Sequence, residues 1–144
     1  MRFWDSSALV PLLLWEEASP RMLELYREDP ELLVWWGTPV ELTSALSRLE
    51  REGLLESSKL EQAFRRLREL EAGWNEVLPT EEVREAARRF LRVHGLRAMD
   101  AFQLAAAFVA SGGRPSRLAF ICLDARLSLA ARREGFREEG LQQL

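Results

Sequence analysis

The chain has 144 residues, 47% of them apolar, with one cysteine, one histidine and a formal net charge of −3. That is enough apolar material for a single domain over residues 1–144 with a real core, while the lone Cys122 and the lone His94 exclude an internal disulfide and any cysteine or histidine metal site. No window reaches the ~20 apolar residues of a membrane span, so no membrane association is expected.

Arg2 to Asp5 reads as a short first strand, with Ser6 or Ser7 opening a helix into Leu12-Leu13-Leu14 and Pro11 close to its first turn. The apolar run Ala8 to Trp15 is eight residues long, contains Pro11 and lacks a small-residue cleavage site. It does not read as a signal peptide, and a cytoplasmic location is expected. Ser19-Pro20 has the pattern of an N-cap followed by proline at the first helical position, for a helix to about Asp29. Leu32 to Trp36 is a buried-type strand ended by Gly37.

Thr38 stands three residues before Glu41, a capping-box spacing, and Leu42, Ala45, Leu46 and Leu49 continue the apolar face up to Gly53. A helix from Ser57 or Ser58 carries Leu60, Ala63, Phe64, Leu67 and Leu70 to Gly73. Trp74 to Leu78 reads as a third strand, and Thr80 opens a helix striped by Val83, Ala86, Ala87, Phe90 and Leu91. Beyond His94-Gly95 the chain restarts in helical register through Asp100, Gln103, Leu104, Ala107 and Phe108, until Gly112, Gly113 and Pro115 break it. Leu118 to Leu123 is a fourth strand, Ala125 to Glu134 a helix, and a last short strand falls around Phe136. Strands alternating with helices predict an α/β fold: a central, mainly parallel sheet of four to five strands flanked by helices.

Charge is unevenly spread. Residues 1–83 hold 9 lysines and arginines against 17 acids, net −8, whereas residues 84–137 hold 11 arginines against Glu85, Asp100, Asp124 and Glu134, net +7. An arginine-rich half can steer a polyanion, although any one arginine is explained as well by a solvated helix face.

Four acids sit where strands or loops become helices. Asp5 and Asp124 each follow a strand, so parallel strands bring both to the carboxyl edge, where sites form in such sheets. Glu41 and Asp100 lie in the first turns of other helices and can face the same edge. Singly, each has an ordinary explanation as a cap or a first-turn anion. Together they call for a hard divalent cation, because gathered carboxylates repel unless compensated. Neither Gly-x-Gly-x-x-Gly nor a Gly-Lys-Ser/Thr loop is present, which disfavours dinucleotide and P-loop enzymes. A receiver-type phosphoacceptor would want a strand-end lysine, and Lys59, the only lysine, lies inside a predicted helix.

The segments Asp5-Ser6-Ser7-Ala8-Leu9-Val10, Asp100-Ala101-Phe102-Gln103-Leu104-Ala105-Ala106-Ala107 and Cys122-Leu123-Asp124-Ala125-Arg126-Leu127 occur in that order, with Glu41 between the first two and Ala130-Ala131 and Gly135 after the last. In these features the chain resembles the PIN-domain ribonucleases, and in particular the VapC-type toxins of type II toxin–antitoxin pairs. The resemblance implies a PIN-like three-layer fold and an endoribonuclease that cuts single-stranded RNA with Mg2+ or Mn2+. It implies Asp5, Glu41, Asp100 and Asp124 as catalytic and metal-binding residues, a cognate antitoxin as partner, and a homodimer. Asp5, Asp100 and Asp124 are the main metal ligands on this reading, with Glu41 orienting the attacking water or completing a second site. Ser6, with Ser7, and Arg97, with Arg126 as second candidate, are the expected substrate contacts. Trp15 and Leu12-Leu13-Leu14 could line a groove for an antitoxin helix. Of the five tryptophans most are expected in the core, and exposed ones could stack bases. One residue departs from the family pattern: Thr or Ser often stands two residues before the last Asp, where this chain has Cys122. The alternative reading is a catalytically silent PIN-fold module for nucleic-acid or protein binding.

Overall fold

In the computed structural model, which describes residues 1–141, strands and helices alternate much as the periodicities predict. The elements are β1 (Arg2–Trp4), α1 (Ser6–Leu13), α2 (Ser19–Glu28), β2 (Leu32–Trp35), α3 (Thr38–Arg51), α4 (Ser57–Gly73), β3 (Asn75–Val77), α5 (Glu81–Val93), α6 (Ala98–Ala110), β4 (Ala119–Cys122), α7 (Ala125–Glu134) and β5 (Arg137–Gly140), with a short 3-10 turn over Pro115–Arg117. The last strand follows Phe136 rather than containing it, and the third strand, Asn75–Val77, is shorter than the predicted Trp74 to Leu78.

The strands form one sheet in the order β3-β2-β1-β4-β5, every pair parallel. The chain builds outward from β1 to β3, then returns to the other side of β1 with β4 and β5. The strand order therefore reverses between β1 and β4, and the carboxyl ends of both face one edge. This is where ligands enter open parallel sheets.

Alternating side chains feed two cores, one per face of the sheet. Phe3, Phe120 and Cys122 join Val83, Ala87 and Phe90 of α5, the alanines of α6, and Leu127 and Ala131 of α7. Trp4, Val34 and Ile121 join Leu9 of α1, Met22 and Leu25 of α2, Leu42 and Leu46 of α3, and Leu60, Ala63 and Leu67 of α4. Ala105, Ala106 and Ala107 are wholly buried, and residues this small let α6 lie close to the sheet, fixing where its first turn, with Asp100, meets the edge.

Two expected caps are made differently. Ala18, not Ser19, is the N-cap of α2. The Ser19 hydroxyl instead lies 2.8 Å from the Pro11 carbonyl and 3.0 Å from that of Leu14, and accepts from the Glu16 N–H. It thereby serves the orphan carbonyls that end α1. The Thr38–Glu41 capping box does not form either: Gly37 is the N-cap of α3, and the buried Thr38 hydroxyl accepts from Gln103 Nε2 at 3.1 Å. Tertiary partners on α1 and α6 outcompete the local bonds.

Candidate active site

Each acid reaches the edge by a definite local route. Asp5 caps α1, its Oδ2 accepting from Ser7 N at 3.1 Å and from Ser7 Oγ at 2.5 Å. Asp124 caps α7, its Oδ1 accepting from Leu127 N at 2.9 Å. Glu41 and Asp100 are the acids in the first turns of α3 and α6. The cap and helix-dipole roles are thus real, and the same four residues also line one cleft of about 480 Å³, together with Ser6, Ser7, Ser44, Arg48, Val40 and Met99.

The cleft holds its negative charge against resistance. Burial first, then the charges of Glu41 and Asp100, push the Asp5 carboxyl up to about 7. Burial and Asp100 likewise raise Glu41. Burial and Asp124 raise Asp100, partly offset by Arg97 and Arg126. Among the described residues no three His, Cys, Asp or Glu side chains form a ready-made metal cage. An open set of hard oxygen donors nevertheless suits Mg2+ or Mn2+, since Mg2+ retains several waters and takes only one or two carboxylates directly. Glu41 adds a specific observation. Its Oε2 accepts from Ser6 Oγ at 2.5 Å and from Gln103 Nε2 at 2.9 Å, while its Oε1 is buried with no partner. A buried orphan acceptor beside other carboxylates is satisfied by a cation or a water.

The residues expected to touch substrate divide between two spaces. Ser6 lines the acidic cleft, bonded to Glu41. Arg97 and Arg126 instead line an adjoining cleft of about 700 Å³ whose wall includes Asp100 and Asp124. Arg48 enters the acidic cleft from α3 without having been singled out in the sequence, and its signal was slight, one arginine a helical turn or two after Glu41. Gln103 was visible only as a polar residue in the register of the apolar face of α6, and it is wholly buried. Cys122 is buried too, its Sγ 3.7 Å from Asp5 Oδ2, and burial with the nearby Asp5 charge keeps its thiol protonated. Ser7 supplies the hydroxyl at this point, donating to Asp5 and accepting from Leu123 N at 2.9 Å.

A parallel three-layer α/β fold with carboxylates gathered at its switch point defines a class of proteins that bind ligands at the carboxyl edge of the sheet. Within that class the PIN domain profile matches residues 2–132, and the chain belongs to the PIN domain family, whose members are generally nucleases. Two examples illustrate the solved structures that share the fold. One, a toxin–antitoxin complex from Klebsiella pneumoniae, is 17% identical over 88% of this chain and 88% of that one, with a TM-score of 0.62. The other, PAE2754 from Pyrobaculum aerophilum, is 21% identical over 99% of this chain and 84% of that one, with a TM-score of 0.65. No curated protein matches. Among the described residues no helix is long and apolar enough to cross a membrane.

Proposed function

We propose that this protein is a Mg2+- or Mn2+-dependent endoribonuclease that hydrolyses single-stranded RNA as the toxin of a toxin–antitoxin pair. The convergence of Asp5, Glu41, Asp100 and Asp124 on one cleft of a PIN domain carries the reading. Asp5, Asp100 and Asp124 would hold the cation, directly or through its waters. Glu41, held in place by Ser6 and Gln103, would orient the attacking water or complete a second metal site. When bound, the cation polarises the scissile phosphate and lowers the pKa of water at the site. Arg97 and Arg126 on one side, and Arg48 on the other, draw the phosphates of the strand toward the acids. Cys122, protonated and buried, offers no thiolate nucleophile, and a water activated among the acids is the attacking group on this reading.

The partner assignments rest on family resemblance. One structural relative is itself a toxin–antitoxin complex, and Trp15 is 75% exposed beside partly buried Leu12 and Leu14, which offers an apolar surface to an antitoxin helix. A homodimer and a cytoplasmic site of action complete the proposal. A small DNA-binding protein encoded immediately upstream would favour toxin over a solitary processing nuclease.

The purified protein is expected to cut single-stranded RNA with Mg2+ or Mn2+ and to stop in EDTA. Asp100→Asn should slow cutting by about 100-fold or more, the scale for losing one electrostatic element of a preorganised site. If Asp5→Asn and Asp100→Asn cut as fast as the parent, with contaminating nuclease excluded, the assignment fails and the catalytically silent binding module replaces it. Neutralising any of the four acids should also reduce the rise in melting temperature produced by Mn2+.

A further inference from the structure

Beside the acidic cleft lies a second, largely apolar pocket of about 510 Å³ that the hydrolytic chemistry does not use. Its floor is a stacked pair, Trp35 and Phe102, with ring centroids 5.3 Å apart and planes 4° from parallel. Trp36 stands edge-on to Trp35 at 6.5 Å and is 53% exposed. Gly37 allows this arrangement, because a Cβ there would come within 2.6 Å of Trp35 Nε1. Val40 and Met99, also exposed, belong to both the pocket and the acidic cleft. The polar rim is Thr80, Glu81 and Arg84, and Glu81 is already engaged by Arg84.

The sheet fixes how far this pocket is from the chemistry. Trp36 directly follows β2, and β2 pairs with β1, whose carboxyl end carries Asp5. Neighbouring strands are ~5 Å apart, so the pocket opens about one strand over from the acids, within reach of a base attached to a phosphate held there. Arg126 follows β4, on the other side of β1 from β2, and with Arg97 it lines a cleft that shares Asp100 and Asp124 with the acidic one and Met99 with both other spaces. The edge thus sets an aromatic pocket, an acidic centre and a basic wall side by side around Met99, a grouping that fits base, scissile phosphate and flanking phosphate of one strand.

We propose that the pocket of Trp35, Trp36 and Phe102 receives one unpaired nucleobase of the strand cut in the adjoining cleft. This rests on the ribonuclease reading and adds to it the reason for preferring single strands: a base already stacked and paired in a duplex cannot enter. With few free polar groups on its walls, the pocket reads the π-face of the base more than its edges, so it tolerates different bases.

The test measures binding of the whole protein to fluorescein-labelled single-stranded RNA, to the same ribose-phosphate chain lacking bases, and to an RNA duplex, in EDTA at low salt so that nothing is cut. Repulsion from the acidic cleft then acts on strands with and without bases alike. Trp36→Ala should weaken binding of the intact strand by roughly 5- to 150-fold, the range for one base–aromatic stack, and leave binding of the baseless chain and the duplex unchanged. Trp36→Phe should recover most of the loss. Equal effects on intact and baseless chains, or no effect on either, would overturn the inference. So would a shift from dimer to monomer in Trp36→Ala with RNA binding intact, which would give this face to a second copy. A parent that shows the base-dependent binding but hydrolyses no RNA with Mg2+ or Mn2+ would sink the nuclease reading and leave the pocket standing. A parent that cuts RNA with no Trp36 dependence in binding would do the reverse.

Discussion

The junctions β1–α1 and β4–α7 share one local design, a strand, an aspartate and a helix capped by that aspartate, yet their carboxylates stand in different surroundings. Asp5 is 3% exposed, with Ser7 and Cys122 against its Oδ2. Asp124 is half-buried, and the bond made by its side chain is the cap to Leu127 N. The cause is packing: β1 is central, with both neighbours paired and helices over both faces, whereas Asp124 opens toward the basic cleft. The same local sequence pattern therefore yields a buried carboxyl at one place and a half-buried one at the other.

The largest expected effect follows from that difference. Asp5 has an ordinary value of 3.8 and a folded value of about 7, so the folded, metal-free protein binds a proton more tightly than the unfolded chain. Its contribution to stability is full below 3.8, is lost as pH rises from there to about 7, and falls no further above. The loss is on the order of 4 kcal/mol at most. In EDTA, Asp5→Asn should gain in melting temperature relative to the parent as pH rises through this window. Parallel pH curves for Asp5→Asn and parent would break the comparison.

Ser7→Ala sharpens it at smaller scale. The change leaves the Leu123 N–H without its 2.9 Å acceptor and removes a hydroxyl donor from Asp5, for a loss of about 1–3 kcal/mol by denaturant unfolding. With that donor gone the Asp5 carboxyl should move further up, readable as a shift of the pH curve. A stability unchanged within error would mean that Ser7 does not support Asp5. The smallest effect belongs to the cap alone: Asp124→Ala should be less stable than Asp124→Asn by about 1 kcal/mol, since Asn retains the acceptor for Leu127 N. Equal stabilities would show that the cap is silent.

Particular residues show how far the sequence could be read. The helix of Thr80 and the stripe of Val83, Ala87 and Phe90 were legible because cap and period both act within a few residues, and the structure keeps them. The order and alternation of strands gave the parallel sheet, and the spaced acids named the edge. Thr38 and Ser19 misled at the level of caps, since the Thr38 hydroxyl found Gln103 across the fold and the Ser19 hydroxyl turned back to the carbonyls that end α1. Arg97 was visible next to Asp100 but falls in the neighbouring cleft, while Arg48 and Gln103 reach the acids from positions whose local sequence carries little signal. Trp36 was one of five tryptophans, and nothing local separates it, half exposed, from the buried Trp35 beside it.

By itself the sequence determined the elements, their alternation and the four acids that end at one edge, because these follow from short-range periodicity and from the requirement that parallel strands share a direction. Tertiary structure alone decided which acid is buried, which hydroxyl serves it, and that aromatic, acidic and basic surfaces adjoin one another at the edge. Burial and mutual charge depend on what residues distant in the chain bring within a few ångströms.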